Sequence, residues 1–233
     1  GTAAGFSDGK GFNAGMRGTK GSEYDGGHRV PCFIRWPEGG ITGSRDISRI
    51  TAHLDLMPTL IDFCGLPSPK GVMFDGTSIA ALLRGGDENW PDRVIITDSQ
   101  RIEHPEKWRK SAVMTDRWRL INGTELYDID ADPGQTNNVA DRYPDVVRRL
   151  RHNYDNWWES VSERFDEYCP IVLGTPEENP SRLICHDWHG IELPGPVRGE
   201  ANPPWNQPHI LRGMKANGFW TVDISRSGTY EIS

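Results

Sequence analysis

Cysteine is scarce in this chain, and none of it is paired in spacing. Cys32, Cys64, Cys169 and Cys185 are scattered and form no C-x-x-C, which argues against a zinc ribbon or a dithiol redox pair. Buried free thiols are the expected state. No apolar run approaches the roughly 18 residues a membrane-spanning helix needs. Runs of Lys and Arg are missing too, and the formal net charge is −7, so the chain carries no electrostatic footprint for nucleic acid or for an anionic membrane. Residues 1–7 have neither a basic segment nor an apolar core, so no signal peptide is read there. No internal repeat is visible.

What is present suits a soluble globular protein. With 233 residues, 36% hydrophobic and 25% charged, the chain can bury a core as one large domain or two small ones. Tryptophan is abundant, and Trp90, Trp108, Trp188 and Trp205 sit in polar surroundings. Such rings stack on sugars or plug a β-rich core.

Three textures follow one another. Residues 1–90 read as the tail of an α/β layer. They hold an irregular glycine-rich stretch to about residue 27 and a buried strand over 30–36. A helix follows with Asp55 as N-cap and Gly65 as stop, its apolar stripe supplied by Leu56, Leu60 and Phe63 or Cys64. A shorter helix spans Ser78–Leu83 and ends at Gly85-Gly86. Residues 91–165 alternate in short runs, Arg93–Thr97, Ser111–Thr115, Arg117–Ile121 and Glu125–Ile129, joined by turn-bearing segments. This predicts an antiparallel meander. Pro144 then opens a long amphipathic helix, with Val147, Leu150, Tyr154 and Trp157 or Trp158 on one stripe. Residues 166–233 form a proline- and tryptophan-rich β tail in which Phe219–Ile224 and Ser227–Ser233 are expected to pair as a hairpin. The fold class is therefore α/β, with a small antiparallel sheet packed by a long helix and then a β-rich tail.

The sharpest motif lies between Gly15 and Pro31. Five glycines surround Lys20 in a loop that runs through Glu23-Tyr24-Asp25-Gly26-Gly27-His28-Arg29-Val30-Pro31, which presents one cation on a turn whose backbone can approach a ligand. Read alone, Lys20 is equally a solvated lysine on a flexible loop. Glu23 and Asp25 are read as bracing the turn, and Arg29 as tying the loop to its neighbours through its donor fork. The cluster Cys185-His186-Asp187-Trp188-His189 has metal-binding chemistry, but no second half of a site lies nearby, and a surface cluster is the reading preferred.

The Lys20 motif, with Asp55-Leu56-Met57-Pro58-Thr59-Leu60 and Asp75-Gly76-Thr77-Ser78 downstream, closely resembles the type I sulfatases, arylsulfatase-like enzymes of the alkaline phosphatase superfamily. The resemblance is firm to about residue 160. It implies that Lys20 contacts the sulfate group as a catalytic residue, and that the β-sheet region after the α/β layer leans over the pocket. His28 falls at a position the family leaves variable, which suits substrate binding. Gln100, Arg101 and His104, in the loop that follows the run Arg93–Thr97, are the other substrate-binding candidates.

The resemblance further implies a formylglycine nucleophile and a calcium ion held by paired Asp-Asp and Asp-Asn ligands in the parent enzyme. Glu178-Asn179-Pro180-Ser181-Arg182 imitates the nucleophile motif Cys-x-Pro-Ser-Arg, but glutamate cannot be oxidised to formylglycine, and the family places that motif upstream of the lysine. Gly1 matches the glycine that follows the Asp-Asn ligands. The expectation is a C-terminal fragment of about the last half of a sulfatase, binding no metal itself and inactive alone. The substrate would be a sulfated small molecule or glycan, and the parent a periplasmic or secreted enzyme. A non-catalytic carbohydrate-binding or structural module, using Trp188, Trp205 and Trp220, is an alternative. So is a phosphodiesterase or phosphonate hydrolase of the same superfamily, because sulfate and phosphate are near-isosteric.

Overall fold

Four short runs pair in sequence into an antiparallel meander: β1 (Ile95–Asp98), β2 (Ser111–Met114), β3 (Trp118–Ile121) and β4 (Glu125–Asp128), in the order β1-β2-β3-β4. The registers Val113↔Leu120 and Leu120↔Leu126 stack apolar residues across one face. Their neighbours Ala112, Met114, Ile121 and Tyr127 line the other. Both faces are covered, so β2 and β3 are buried along their whole length. This computed structural model describes residues 12–86, 90–100, 102, 104–192, 204 and 206–232; Arg101 and Trp205 lie outside that set. The described residues divide between two units, one drawn from 1–99 and 108–158 and one from 100–107 and 159–233.

In the first unit, helix α4 (Pro144–Ser162) lays Leu150 and Tyr154 onto the Val113/Leu120/Leu126 face, together with Trp118 and Val139. The three-to-four-residue spacing of these side chains produces that stripe. Tyr154 is fully buried, yet its hydroxyl donates to Asp98 Oδ2 at 2.9 Å and accepts the Trp108 backbone N–H at 3.1 Å, while its ring stacks on Trp108. The polar tip is thereby satisfied inside an apolar layer. The opposite face is covered by Tyr24, Ile50 and Ala52, and this brings the glycine-rich loop onto the sheet.

A second cluster, Ile41, Ile79, Leu82 and Leu83 with Phe63 and Trp90, joins α2 (Leu56–Phe63) and α3 (Ala80–Arg84). Asp55 precedes α2 but makes no side-chain cap there. Its fully buried carboxylate turns away to accept the Ala52 and Thr77 backbone N–H groups and a two-pronged guanidinium contact from Arg93 at 2.9 and 3.0 Å. A buried carboxylate is stable when every lone pair has a donor, and four donors outcompete one helix end.

The strand expected over 30–36 is not formed. The backbone there is irregular apart from one bridge between Trp36 and Ile41, and Val30 and Phe33 are exposed. An apolar run becomes a buried strand only with a ladder partner, and none pairs with it among the described residues. The α2 stripe shares this exposure: Ile34, Trp36, Leu56, Leu60 and Phe63 line an open apolar hollow. The cysteines also differ from expectation. All four are free thiols, and Cys32, Cys64 and Cys169 are exposed.

In the second unit, β5 (Ile171–Leu173) pairs in parallel with β8 (Val222–Ile224), and β6 (His189–Glu192) pairs antiparallel with β7 (Asn217–Phe219). A short helix, α5 (Gln207–Leu211), precedes β7. The expected terminal hairpin is therefore replaced by strands that pair with segments far away in sequence. Tyr230 explains part of this, because its hydroxyl bonds the Arg226 carbonyl and folds the terminal segment back instead of extending it. No helix among the described residues is long and apolar enough to cross a membrane.

Candidate active site

Lys20 occupies the second position of a tight turn closed by the Ser22 N–H donating to the Thr19 carbonyl at 2.8 Å. Gly21 follows with φ of +87°, a conformation this turn demands and glycine adopts without strain. Lys20 is exposed at the tip. Gly26 serves packing: a Cβ there would lie 2.4 Å from the Gly18 carbonyl oxygen and 2.5 Å from that of Arg17. The glycines thus let the two legs of the loop pack against each other, a role distinct from approach to a ligand. The Gly26 N–H donates to the Arg17 carbonyl, and the Asn13 side-chain amide donates to the Met16 and Gly18 carbonyls.

The leg leading out of the turn forms a single helical turn, α1 (Asp25–His28). Asp25 is buried and accepts from Arg119 Nε at 3.0 Å, while its backbone N–H donates to Gln135 Oε1 at 2.8 Å. Arg119 Nη1 donates to the Thr115 and Trp118 carbonyls. Burial pulls this guanidinium down from its ordinary value, with Asp25 opposing. Glu23 accepts from the Asn122 side-chain amide at 3.0 Å, and Arg29, more than half exposed, reaches within 3.6 Å of Asp25 Oδ2.

The leg leading in is held by aromatic and charged groups. The Arg17 guanidinium lies over the Tyr24 ring at 3.9 Å, donates to the Tyr127 hydroxyl at 2.8 Å and reaches the Gln135 carbonyl at 3.1 Å. Tyr24 and Tyr127 both donate to Glu125 Oε2, at 2.9 and 2.6 Å. Burial and the bond to Glu125 push Tyr127 up to about 12 and raise Tyr24 as well. Both hydroxyls therefore stay protonated donors at neutral pH.

His28 faces inward. Its Nε2 lies 3.1 Å from Met114 Sδ and 3.6 Å from Asp25 Oδ1, and its Nδ1 is buried with no hydrogen-bond partner among the described residues. Burial lowers its pKa, outweighing the opposing Asp25 charge. Between the folded value and the unfolded value near 6.5 the unfolded chain binds more protons. Stability is thus complete above about pH 6.5 and is lost as pH falls from there toward the folded value. His28→Gln is expected to flatten this acid slope, read as the thermal midpoint of the chain followed downward from about pH 7.5. An unchanged slope would assign the titration elsewhere.

Gln100 and His104 belong to the second unit. The Gln100 side-chain amide is engaged at both ends by the Glu106 backbone, at 2.8 Å each, which closes its own loop, and His104 is exposed. Lys20 and His28 thus share the braced loop, and Gln100 and His104 share another. Calcium, implied for the whole enzyme, does not fit the donors seen: among the described residues no three His, Cys, Asp or Glu side chains converge on a metal position. Sequence reasoning singled out Lys20 but not Arg119, Gln135, Glu125 and Tyr127, which brace its loop. All four read as ordinary meander or loop residues, and nothing in their spacing links them to a loop about a hundred positions earlier.

The turn bearing Lys20 lies against an antiparallel sheet backed by one long helix, and this region matches the C-terminal domain of the sulfatases. Residues 19–159 match the family described as N-sulphoglucosamine sulphohydrolase, C-terminal, and the chain belongs to that family. It is 35% identical over 117 residues to mouse steryl-sulfatase, an alignment covering 50% of this chain and 17% of that protein. With a sulfatase of Formosa agariphila it shares 38% identity over 186 residues, covering 65% and 32% respectively. A solved Bacteroides thetaiotaomicron protein, described under the metabolism of multiple glycosaminoglycans, has the same fold with a TM-score of 0.51 and 24% identity, over 67% of this chain and 34% of that one. The aligned stretch spans a third or less of the length of these two relatives.

Proposed function

We propose that this chain is the C-terminal part of an enzyme that hydrolyses sulfate esters, and that Lys20 is its catalytic contribution. The observation that carries this reading is the exposed Lys20 ammonium on a turn whose two legs are both fastened to the sheet. A fixed cation with three donors suits the negative charge that spreads over sulfate oxygens and the departing bridging oxygen as the ester bond breaks. Family membership over residues 19–159 supports the reaction class. The nucleophile and the metal ligands are assigned to other parts of the enzyme, which makes the chain inactive by itself. The ester is an aryl or carbohydrate sulfate, and His28 bears on substrate preference through the loop it packs under.

The test compares the complete enzyme with this chain alone on an aryl sulfate, a sulfated monosaccharide and a diaryl phosphodiester. Metal-dependent turnover of sulfate esters by the complete enzyme, with none from the chain, is expected. Turnover by the isolated chain would overturn the division of labour. A preference for the phosphate ester would move the enzyme to the phosphodiesterases of the same superfamily.

A further inference from the structure

We infer, resting on the sulfatase reading above, that β3 and β4 position the Lys20 ammonium, with Arg119 and Glu125 as the positioning residues. The loop cannot hold its own shape by burial. Between residues 12 and 29 only Asp25 and Gly26 are buried, and neither brings an apolar side chain. Lysine has a long flexible stem, so a cation that must meet charge only as it develops gains from a backbone that does not wander. The sheet supplies that rigidity through polar contacts placed on both sides of the turn at residues 19–22.

Glu125, on the edge strand β4, gathers the incoming and outgoing legs at one oxygen. Oε2 accepts from Tyr24, which follows the turn, and from Tyr127, which in turn accepts from Arg17, which precedes it. Arg119, on β3, pins the outgoing leg one residue further on, through the Asp25 carboxylate. A buried carboxylate tolerates few alternative partners, so Arg119 sets where α1 begins and hence where the turn ends. Gln135 bonds both legs as well, through its side chain to Asp25 and its backbone carbonyl to Arg17. Arg119 is buried, and Glu125 Oε2 is taken up by the two tyrosines that brace the loop.

The experiment is a double-mutant cycle in the complete enzyme, with steady-state kinetics on an aryl sulfate. Glu125→Ala is the primary variant because its side chain is one-third exposed and its removal leaves the core intact; Arg119→Lys repeats the test at the buried anchor. Each is expected to lower kcat by about tenfold with KM within about twofold, the pattern of a contact made in the transition state and now misplaced. In a Lys20→Ala background the same substitutions are expected to cost less than about twofold, because the group they position is gone. Glu125→Gln, which keeps one acceptor, falls between wild type and alanine.

A loss of the same factor in both backgrounds would overturn the inference, because a general structural role multiplies through regardless of Lys20. So would no loss at all. A second readout needs no turnover: amide hydrogen exchange at Ser22, Gly26 and Arg29 is expected to rise at least about fivefold in Glu125→Ala while Val113 and Leu120 stay protected. Unchanged exchange at the loop would overturn the inference too. If Lys20→Ala itself leaves turnover intact, the catalytic assignment of Lys20 fails and takes this inference with it. A costly Lys20→Ala with multiplicative partners defeats the positioning role alone.

Discussion

Lys20→Ala is expected to lower kcat/KM for an aryl sulfate by on the order of 10²-fold or more in the complete enzyme, the scale of losing one charge-stabilising donor in a water-poor site. The same substitution should leave the thermal midpoint where it was. Lys20 is exposed at a turn tip, and that turn is shaped by the Ser22–Thr19 bond and by Gly21, none of which involves the lysine side chain. Surface substitutions away from packing and capping features shift stability by within about 0.5 kcal/mol. Competition by inorganic sulfate should weaken in parallel, because the ammonium would meet the free anion as it meets the ester. Near-normal turnover with an unchanged midpoint would remove Lys20 from the catalytic machinery and, with it, the main support for the proposed reaction.

The largest effect on folding is expected from Arg119→Met. Asp25 is 1% exposed and Arg119 6%, so the substitution strands a carboxylate in the interior with, among the described residues, only the more exposed Arg29 and the half-buried His28 nearby. Breaking a buried pair from one side costs about 3–5 kcal/mol. The double replacement Arg119→Met with Asp25→Leu should recover most of that loss, because removing both charges removes the desolvation penalty along with the attraction. Urea unfolding of the single and double variants, followed by tryptophan fluorescence, measures both. A single-variant loss below about 1 kcal/mol would mean that Asp25 finds water or takes up a proton instead.

The meander was legible because its signals are local. Val113, Leu120 and Leu126 alternate with polar or oppositely facing neighbours, and turn residues such as Asn122-Gly123 sit where the chain reverses. The α4 stripe was legible for the same reason, through Leu150 and Tyr154 at helical spacing. Residues 30–36 show where local reading stops. Apolar composition reports that a segment would bury itself given a partner, and Phe33 at 93% exposure has none here. The tail shows the same limit: Val222–Ile224 has strand composition, but its choice of β5 over its neighbour in sequence depends on contacts fifty residues away. At the site, Lys20 was visible from its glycines. The anchors were not, since Arg119 and Asp25 are 94 positions apart and Tyr24 and Glu125 are 101 apart.

Those separations also set a schedule. A ribosome releases residues 12–29 long before it makes β3, β4 or Gln135, and closing a loop of that span costs entropy that only the finished contacts repay. Until the downstream hairpin emerges, the segment bearing Lys20 has only its own local turn contacts. The loop that presents Lys20 is thus braced only after β3, β4 and Gln135 have been made, and a nascent chain that stops before residue 135 would carry the whole glycine motif without its anchors.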